Sequence, residues 1–509
     1  MSSTTGTTAP RSSEKLDRSV IVTGLVIVSG LIMVVLDTTI VNVALDQLST
    51  ELTASLSTTQ WVVTGYLIAV ALVIPITGWV MDRFGSKATW ITAVTCFVLG
   101  SALCATAWSI GALIAFRIIQ GLGGGMLMPA GQAMIARAAG PHRMGRAMAI
   151  LGVPMLLGPV LGPVIGGLLV EYASWHWIFL VNVPVGIIAV ALAVWRLPAY
   201  DADTDAGRLD WLGLAVLSAS LVCLLYGLSE ASTKGGFGDT GVVTWLVAGA
   251  VGLALYTWHS VRKGAESIID VRLLTNRLFA SSTVAVFLVA IGLFGGMLLL
   301  PLYYQTVRGQ GALDAGLLLA PQGLGAVVAM VLAGRLTDRI GAGYVVPVGV
   351  VIALIGTFPF TQVGIDSSYA WLCITLFVRG IGLGSVMMPV ISSAYKDLGH
   401  DQVSRAAPTL SAIQQVGASL GSALLVTALT QRLTSELTSH GVHATGGGAS
   451  QLSSLSPEVM QKVGPLLADA FGFAFWVAFA LTAVIFIPAL FLPRHRSPDS
   501  DDAPAVPVA

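Results

Sequence analysis

Charged side chains are what this 509-residue chain has least of: Asp, Glu, Lys and Arg make up 10% of it, while 55% is hydrophobic. A soluble domain carries about 25% charged residues, and a chain this long cannot cover a water-facing surface with so few. A water-soluble fold is excluded. The 26 basic and 26 acidic side chains cancel, so no excess of either sign points to nucleic acid or to an acidic solvating tail. Cysteine is equally sparse. Cys96, Cys104, Cys223 and Cys373 each sit in an apolar run without CxxC spacing, which argues against a disulfide framework and against a zinc site. His440 and His443 are the one close histidine pair, in a Ser/Gly-rich segment with no third ligand, so no metal is expected. A phosphate-cradling GxxxxGKS/T loop is missing, as is any soluble stretch large enough for an ATPase domain, so neither nucleotide nor cofactor is expected. Residues 1–19 are polar, and the first apolar run is too long for a signal-peptide core, so it is expected to be retained.

Long apolar runs are what the chain has instead. About 20 residues at 1.5 Å each cross a hydrocarbon core of about 30 Å. Fourteen runs qualify: 20–44, 60–81, 88–108, 110–135, 146–170, 176–197, 209–229, 241–261, 279–304, 313–335, 344–363, 370–391, 406–430 and 468–492. Short loops rich in Lys and Arg stay cytoplasmic. With the N-terminus inside, twenty Lys and Arg residues fall in cytoplasmic segments, four fall outside, and Arg117 and Arg379 lie within spans. A multi-pass protein of the cell inner (plasma) membrane is expected, with both termini cytoplasmic.

The sequence also repeats itself. Gly78-Trp-Val-Met-Asp82-Arg83-Phe-Gly85 follows the second run, and Gly334-Arg-Leu-Thr-Asp338-Arg339-Ile-Gly341 follows the tenth. Downstream of each comes an arginine opening a Gly-rich helix, Arg117 leading to Pro129 and Arg379 to Pro389. Two copies of one unit, related by an axis along the membrane normal, are implied. The expected organisation is a cytoplasmic tail (1–19), a six-helix bundle (20–200), two additional helices (201–265), a second six-helix bundle (266–492) and a disordered cytoplasmic tail (493–509).

Ionisable groups inside spans are costly and therefore candidates for function. Asp37 lies in the first run. Burial raises a carboxylate's pKa and a nearby cation lowers it, so such a group can couple proton movement to another event. Arg117 is a permanent cation in the fourth run. It either pairs with Asp37 or satisfies backbone carbonyls where Gly-rich helices approach, and the sequence leaves both open. Gly158, Pro159, Gly162, Pro163, Gly166 and Gly167 in the fifth run predict a pliable hinge and a tight seam between the halves, since glycines four apart allow close packing and prolines interrupt the hydrogen-bond ladder. Gly78, Asp82, Arg83 and Gly85, with Asp338 and Arg339, suit a charged latch in which an Asp caps a helix N-terminus or pairs with a base across the interface.

These stretches together resemble the major facilitator superfamily, specifically its fourteen-span drug:proton antiporter branch. GWVMDRFGSK resembles the family's motif between spans two and three, although Ser86 stands where a basic residue is usual. FRIIQGLGGG resembles the fourth-span motif, GPVLGPVIGG the fifth-span antiporter signature and LDTTIVNVAL the first-span motif of that branch. TQWVVTGYLI (59–68) and WHWIFLVNVPVG (175–186) extend the match, with His176 where Arg is commoner. The resemblance covers essentially the whole chain. It implies an all-α major facilitator fold of fourteen transmembrane helices, two six-helix bundles plus an inserted central pair, working by alternating access. It further implies efflux of hydrophobic, often cationic drugs in exchange for protons, with no enzymatic reaction. Proton coupling is implied for Asp37 and Arg117, the cytoplasmic gate for Asp82 and Arg83, and the antiport hinge for the stretch from Gly158 to Gly167.

Asn42, Trp61, Tyr66, Tyr303, Tyr304, Gln305 and Gln414 are expected to line a substrate cavity, because aromatics bind flat cations and amides adapt to varied ligands. Lipophilic small molecules, protons and membrane lipids are the expected partners of a monomer. The alternative is a dedicated proton-coupled exporter of one endogenous metabolite, lipid or siderophore. A membrane-embedded enzyme or pore fits poorly, since paired acids, an HExxH set and filter-like segments are missing.

Overall fold

The structure is a computed structural model, described here for residues 17–140, 143–198, 207–439 and 457–494. The expected tails fall largely outside these residues, and His440 and His443 wholly so. The order of helices is α1 (Arg18–Val43), α2 (Leu45–Glu51), α3 (Leu56–Thr59), α4 (Trp61–Val73), α5 (Thr77–Phe84), α6 (Ser86–Ala105) and α7 (Ile110–Ala139). Next come α8 (Met144–Tyr172), α9 (His176–Leu180), α10 (Asn182–Arg196), α11 (Trp211–Lys234), α12 (Thr240–Lys263) and α13 (Arg277–Thr306). The chain continues through α14 (Ala312–Ile340), α15 (Ala342–Thr357), α16 (Tyr369–Tyr395), α17 (His400–Ser439), α18 (Pro457–Val484) and α19 (Phe486–Ala489). The described residues contain no strand.

Among the described residues, twelve helical segments are long and apolar enough to cross a membrane, or thirteen if α4 and α5, bent by 53° at their junction, form one span. Pro75 lies in that junction, where a missing N–H and a fixed φ break the ladder. The run at 146–170 lies on the continuous helix α8. Side chains set several helix starts. Ser109 caps α7, Asp210 caps α11, Asp239 caps α12 and Asn276 caps α13, each accepting a backbone N–H of the first turn. Gly85 and Gly341 end α5 and α14 at φ 84° and 87°, a backbone region that favours glycine. Trp195, Trp211, Ile187 and Leu324 are among the large apolar side chains displayed outward, as expected where lipid rather than water is the solvent.

In the first half, α1 packs on α8 and α10, and α7 on α4 and α6; in the second, α13 packs on α17, and α16 on α14 and α15. Helices α11 and α12 pack on each other, with α11 also touching α4 and α17. The halves join where α8 meets α14 and α16 and where α17 meets α5 and α7. The largest apolar core draws on both halves there, through Met81, Met134 and Met148 with Met330, Met388 and Ala406. At the opposite end the cores are separate. One contains Val62, Trp175 and Phe179 from the first half alone, the other Leu299, Tyr303 and Phe471 from the second.

Candidate functional site

Asp37 is fully buried on α1, and the structure joins it directly to Arg117. Arg117 Nη1 donates to Asp37 Oδ2 at 2.5 Å and to Gln120 Oε1 at 2.7 Å, and its Nε donates to the Val62 carbonyl at 3.1 Å. Gln120 Nε2 donates to Asp37 Oδ1 at 2.9 Å, and Asn182 Nδ2 donates to the same oxygen at 3.1 Å. Asn182 Nδ2 also reaches Ser101 Oγ at 3.1 Å, while that hydroxyl donates to the Phe179 carbonyl at 2.9 Å. The guanidinium carbon lies 4.1 Å from the Tyr66 ring centre. Both readings left open for Arg117 therefore hold at once: it pairs with the acid and satisfies a carbonyl. Gly100 makes room, since a Cβ there would stand 2.6 Å from the Gln120 backbone.

Chemically, this is a carboxylate held in low dielectric by one cation and two neutral amides. Protonating Asp37 would remove the attraction that holds Arg117, and a buried guanidinium without its partner is costly. The network thus has two electrostatic states. Gln120, Asn182 and Ser101 were not among the expected site residues, although Gln120 and Asn182 stand inside the FRIIQGLGGG and WHWIFLVNVPVG stretches. Nothing short of the fold places Ser101.

The two latch aspartates have partners across the halves. Asp338 accepts from the Gly145 N–H at 2.9 Å and the Arg146 N–H at 3.3 Å, capping the first turn of α8, and from Arg146 Nε at 2.7 Å. Asp82 accepts from Arg137 Nη2 at 3.3 Å, is hydrogen-bonded by Ser404 and faces Arg405 of α17. A Cβ on Gly78 would stand 2.6 Å from the Ser404 carbonyl oxygen, and one on Gly334 would stand 2.8 Å from that of Gly145. Arg83 and Arg339 lie exposed in the last turns of α5 and α14, where cations suit the helix dipole.

Other expected residues sit differently. Gly158, Gly162 and Gly166 pack against Val35, Thr39 and Ile40 of α1, within the first half rather than across a seam. The seam lies earlier in α8, where Gly145 approaches Gly334 and Gly152 approaches Met330 and Met388. Pro163 and Gly167 continue the same helix, and α8 also runs through Pro159. Tyr66 belongs to the Asp37 network. Tyr303 and Tyr304 are buried in the second half's own core, and the Tyr303 hydroxyl donates to the Gly364 carbonyl at 2.7 Å. Trp61 packs on Tyr226 of α11 at 6.0 Å between ring centres. Asn42 is exposed and donates to the Thr38 carbonyl of its own helix at 3.1 Å. Gln305 is exposed and Gln414 buried. The structure thus does not gather these seven residues round one cavity.

Packing also resets the repeat. Gly121 lies on the Tyr66 carbonyl and Gly380 on the Gln322 carbonyl, while Gly100 meets Gln120 and Gly356 meets Arg379. By this register Arg379 occupies the place of Gln120 and not that of Arg117. The likeness of the two arginines, each opening a Gly-rich helix downstream of a latch motif, hides an offset of about one helical turn.

The chain matches the family model described as Major Facilitator Superfamily over residues 27–422. It is 39% identical over 498 residues to the multidrug resistance protein B homolog of Mycobacterium tuberculosis, covering 95% of this chain and 92% of that protein. It is 26% identical over 511 residues to multidrug resistance protein 3 of Bacillus subtilis, covering 96% and 97%. Among solved structures, the human organic anion transporter MFSD10 superposes with a TM-score of 0.59 at 16% identity, covering 92% of this chain and 99% of that one. The proton:xylose symporter XylE does so with a TM-score of 0.58 at 15% identity, covering 92% and 94%. At these identities the two structures speak for the fold alone. Matched over most of its length by the family model and similar end to end to multidrug-resistance transporters, this multi-pass chain belongs to the Major Facilitator Superfamily and is a transporter, not an enzyme.

Proposed function

We propose that this protein exports lipophilic compounds across the plasma membrane in exchange for protons, by alternating access between its two halves. The observation that carries the reading is the buried Asp37–Arg117 pair, with both carboxylate oxygens held by side chains of other helices. Such a site changes charge by one proton and rearranges its partners when it does so. The similarity to multidrug resistance proteins supports efflux of several compounds rather than one.

In this reading α8 completes a set of fourteen spans, and α1–α10 and α13–α19 form six-span bundles with α11 and α12 inserted between them. Both termini and the Asp82 and Asp338 latches face the cytoplasm, and the protein works as a monomer. The latched end would then be the closed cytoplasmic gate, with separate cores flanking an outward opening. Asp37 and Arg117 couple the proton, and the Gly158–Gly167 stretch lets α8 slide or flex on α1.

Inside-out vesicles with a pH-sensitive dye test this. Substrate-induced proton release is expected through the wild type for several lipophilic compounds, and not through Asp37→Asn. A well-folded Asp37→Asn protein that still couples would remove Asp37 from the mechanism.

A further inference from the structure

The second half buries a charge that the coupling network does not use. Arg379 of α16 is 2% exposed. Its Nε donates to Thr357 Oγ1 at 3.3 Å and its Nη1 to Gln322 Oε1 at 2.7 Å, both neutral acceptors. Among the described residues, Arg379 forms no ion pair and its Nη2 has no hydrogen-bond acceptor. Helices α13, α15 and α16 contain no Asp or Glu, and α14 carries only Asp314 and Asp338 at its two ends, the latter spent on α8. The Nη2 edge faces Gly296 of α13, where any Cβ would collide with the guanidinium.

The buried charges of the described residues are Asp37, Arg117, Asp210 and Arg379, and Asp210 sits at a helix start beside Lys263 and His259. Within the spans that leaves one acid against two bases. Asp37 ionised leaves one positive charge uncompensated, and Asp37 protonated leaves two. A buried guanidinium with only neutral partners is costly, and a counter-charge brought to it would be stabilised. A planar fork with free N–H groups suits a carboxylate or similar oxyanion.

We propose that Arg379 receives the oxyanion of a lipophilic substrate on its free edge, so that this transporter favours lipophilic anions and zwitterions over lipophilic cations. The proposal rests on the efflux reading above and departs from the cationic substrates that the family resemblance implies. It carries an electrical consequence. For any number of protons taken in, export of a monoanion moves two more positive charges inward than export of the corresponding monocation, so an inside-negative potential drives it more strongly.

Three probes sharing one fluorophore test the assignment: dansyl-leucine (a carboxylate), its methyl ester (neutral) and dansylcadaverine (a cation). Their Kd values would be measured by fluorescence on the purified full chain in nanodiscs, with no gradient present. The wild type is expected to bind the carboxylate about tenfold more tightly than the ester, with the amine weakest. In Arg379→Gln the carboxylate-to-ester ratio should fall to near one, and Arg379→Lys should retain part of it. A wild type that does not separate carboxylate from ester, prefers the amine or binds none of the three would overturn the proposal. So would an equal weakening of carboxylate and ester in Arg379→Gln, which marks a merely structural residue. Should that variant not fold, an unchanged ratio in Arg379→Lys overturns it equally. The efflux reading fails separately, if the uncharged ester binds to wild-type vesicles but drives no proton flux.

Discussion

At their shared end the two halves are built alike. Asp338 reaches Gly145 and Arg146 at the start of α8, while Asp82 is hydrogen-bonded by Ser404 and faces Arg405 near the start of α17. Within the membrane they differ. The first half buries a carboxylate with an arginine and two amides around it, and the second buries an arginine with only neutral partners. A repeated unit therefore supplies the surfaces on which the halves can close. Departures from the repeat leave the two halves with different buried charges within the membrane.

The largest test of this division is at Asp37. Replacing it with Asn keeps the shape and removes the charge that holds Arg117, and breaking a buried pair costs about 3–5 kcal/mol. Proton-coupled efflux should fall by about 100-fold or more, since every 1.4 kcal/mol is about tenfold. Asp37→Glu should recover part of it. Val289→Asp in α13, which adds a carboxylate to a helix that has none, should not restore coupling to Asp37→Asn. Restoration would show that the halves are interchangeable and break the comparison.

Much of this contrast is legible in the sequence, and the reasons are physical. A lone Asp or Arg in an apolar run stands out because hydrocarbon penalises charge, and a Gly-Asp-Arg-Gly loop stands out because it recurs. Asp37, Arg117, Asp82 and Asp338 could thus be identified without coordinates. Gln120, Asn182 and Ser101 could not be assigned to the site, because a neutral amide or hydroxyl in a span serves packing as readily as a polar network. The aromatics expected at a cavity are hard to place for a related reason. Tyr303 is equally at home in a core, and only the fold reveals that its hydroxyl is spent on Gly364. Register was hidden as well, since Arg117 and Arg379 look equivalent until Gly121 and Gly380 are seen against Tyr66 and Gln322.

The two latches give the next-largest effect. Asp338 accepts three hydrogen bonds from α8, two of them helix N-terminal amides. Asp338→Asn should weaken closure by about 1.5–3 kcal/mol, the range for bonds to charged groups, and so shift the open population at that face by about tenfold or more. Asp82→Asn should do less, because its Arg137 contact is longer and lies within its own half. Thiol-labelling rates of a cysteine introduced beneath the latch would report both. Equal effects would make the two ends of the repeat functionally symmetric.

Helices α11 and α12, which pack on each other, offer a comparison in stability rather than transport. Asp210 caps α11 and takes Lys263 Nζ at 2.9 Å and His259 Nε2 at 3.0 Å from α12. Burial raises its pKa, but the bonds from Lys263, the Gly213 N–H and His259 outweigh that and hold it below the usual carboxylate value. A lowered native pKa stabilises the fold above the ordinary value and loses that contribution as pH falls through the native one. Asp210→Asn should cost about 1–2 kcal/mol near neutrality. Thermal melts should show the gap to wild type closing below about pH 4. A gap that persists in acid would mean that the cap, not the charge, does the stabilising.

The smallest expected effect is the most local. Tyr395 of α16 donates its hydroxyl to Gln132 Oε1 of α7 at 3.2 Å, a direct polar bond between the halves where both partners are buried. Tyr395→Phe removes that bond and leaves the ring in the joint core. A neutral bond contributes about 0.5–1.5 kcal/mol net, and Gln132 would be left with an unsatisfied carbonyl. Closure should weaken severalfold in the same labelling assay, with proton coupling through Asp37 intact. If coupling fell with closure instead, the polar site of the first half and the joint between the halves would be one device, and their separation here would not hold.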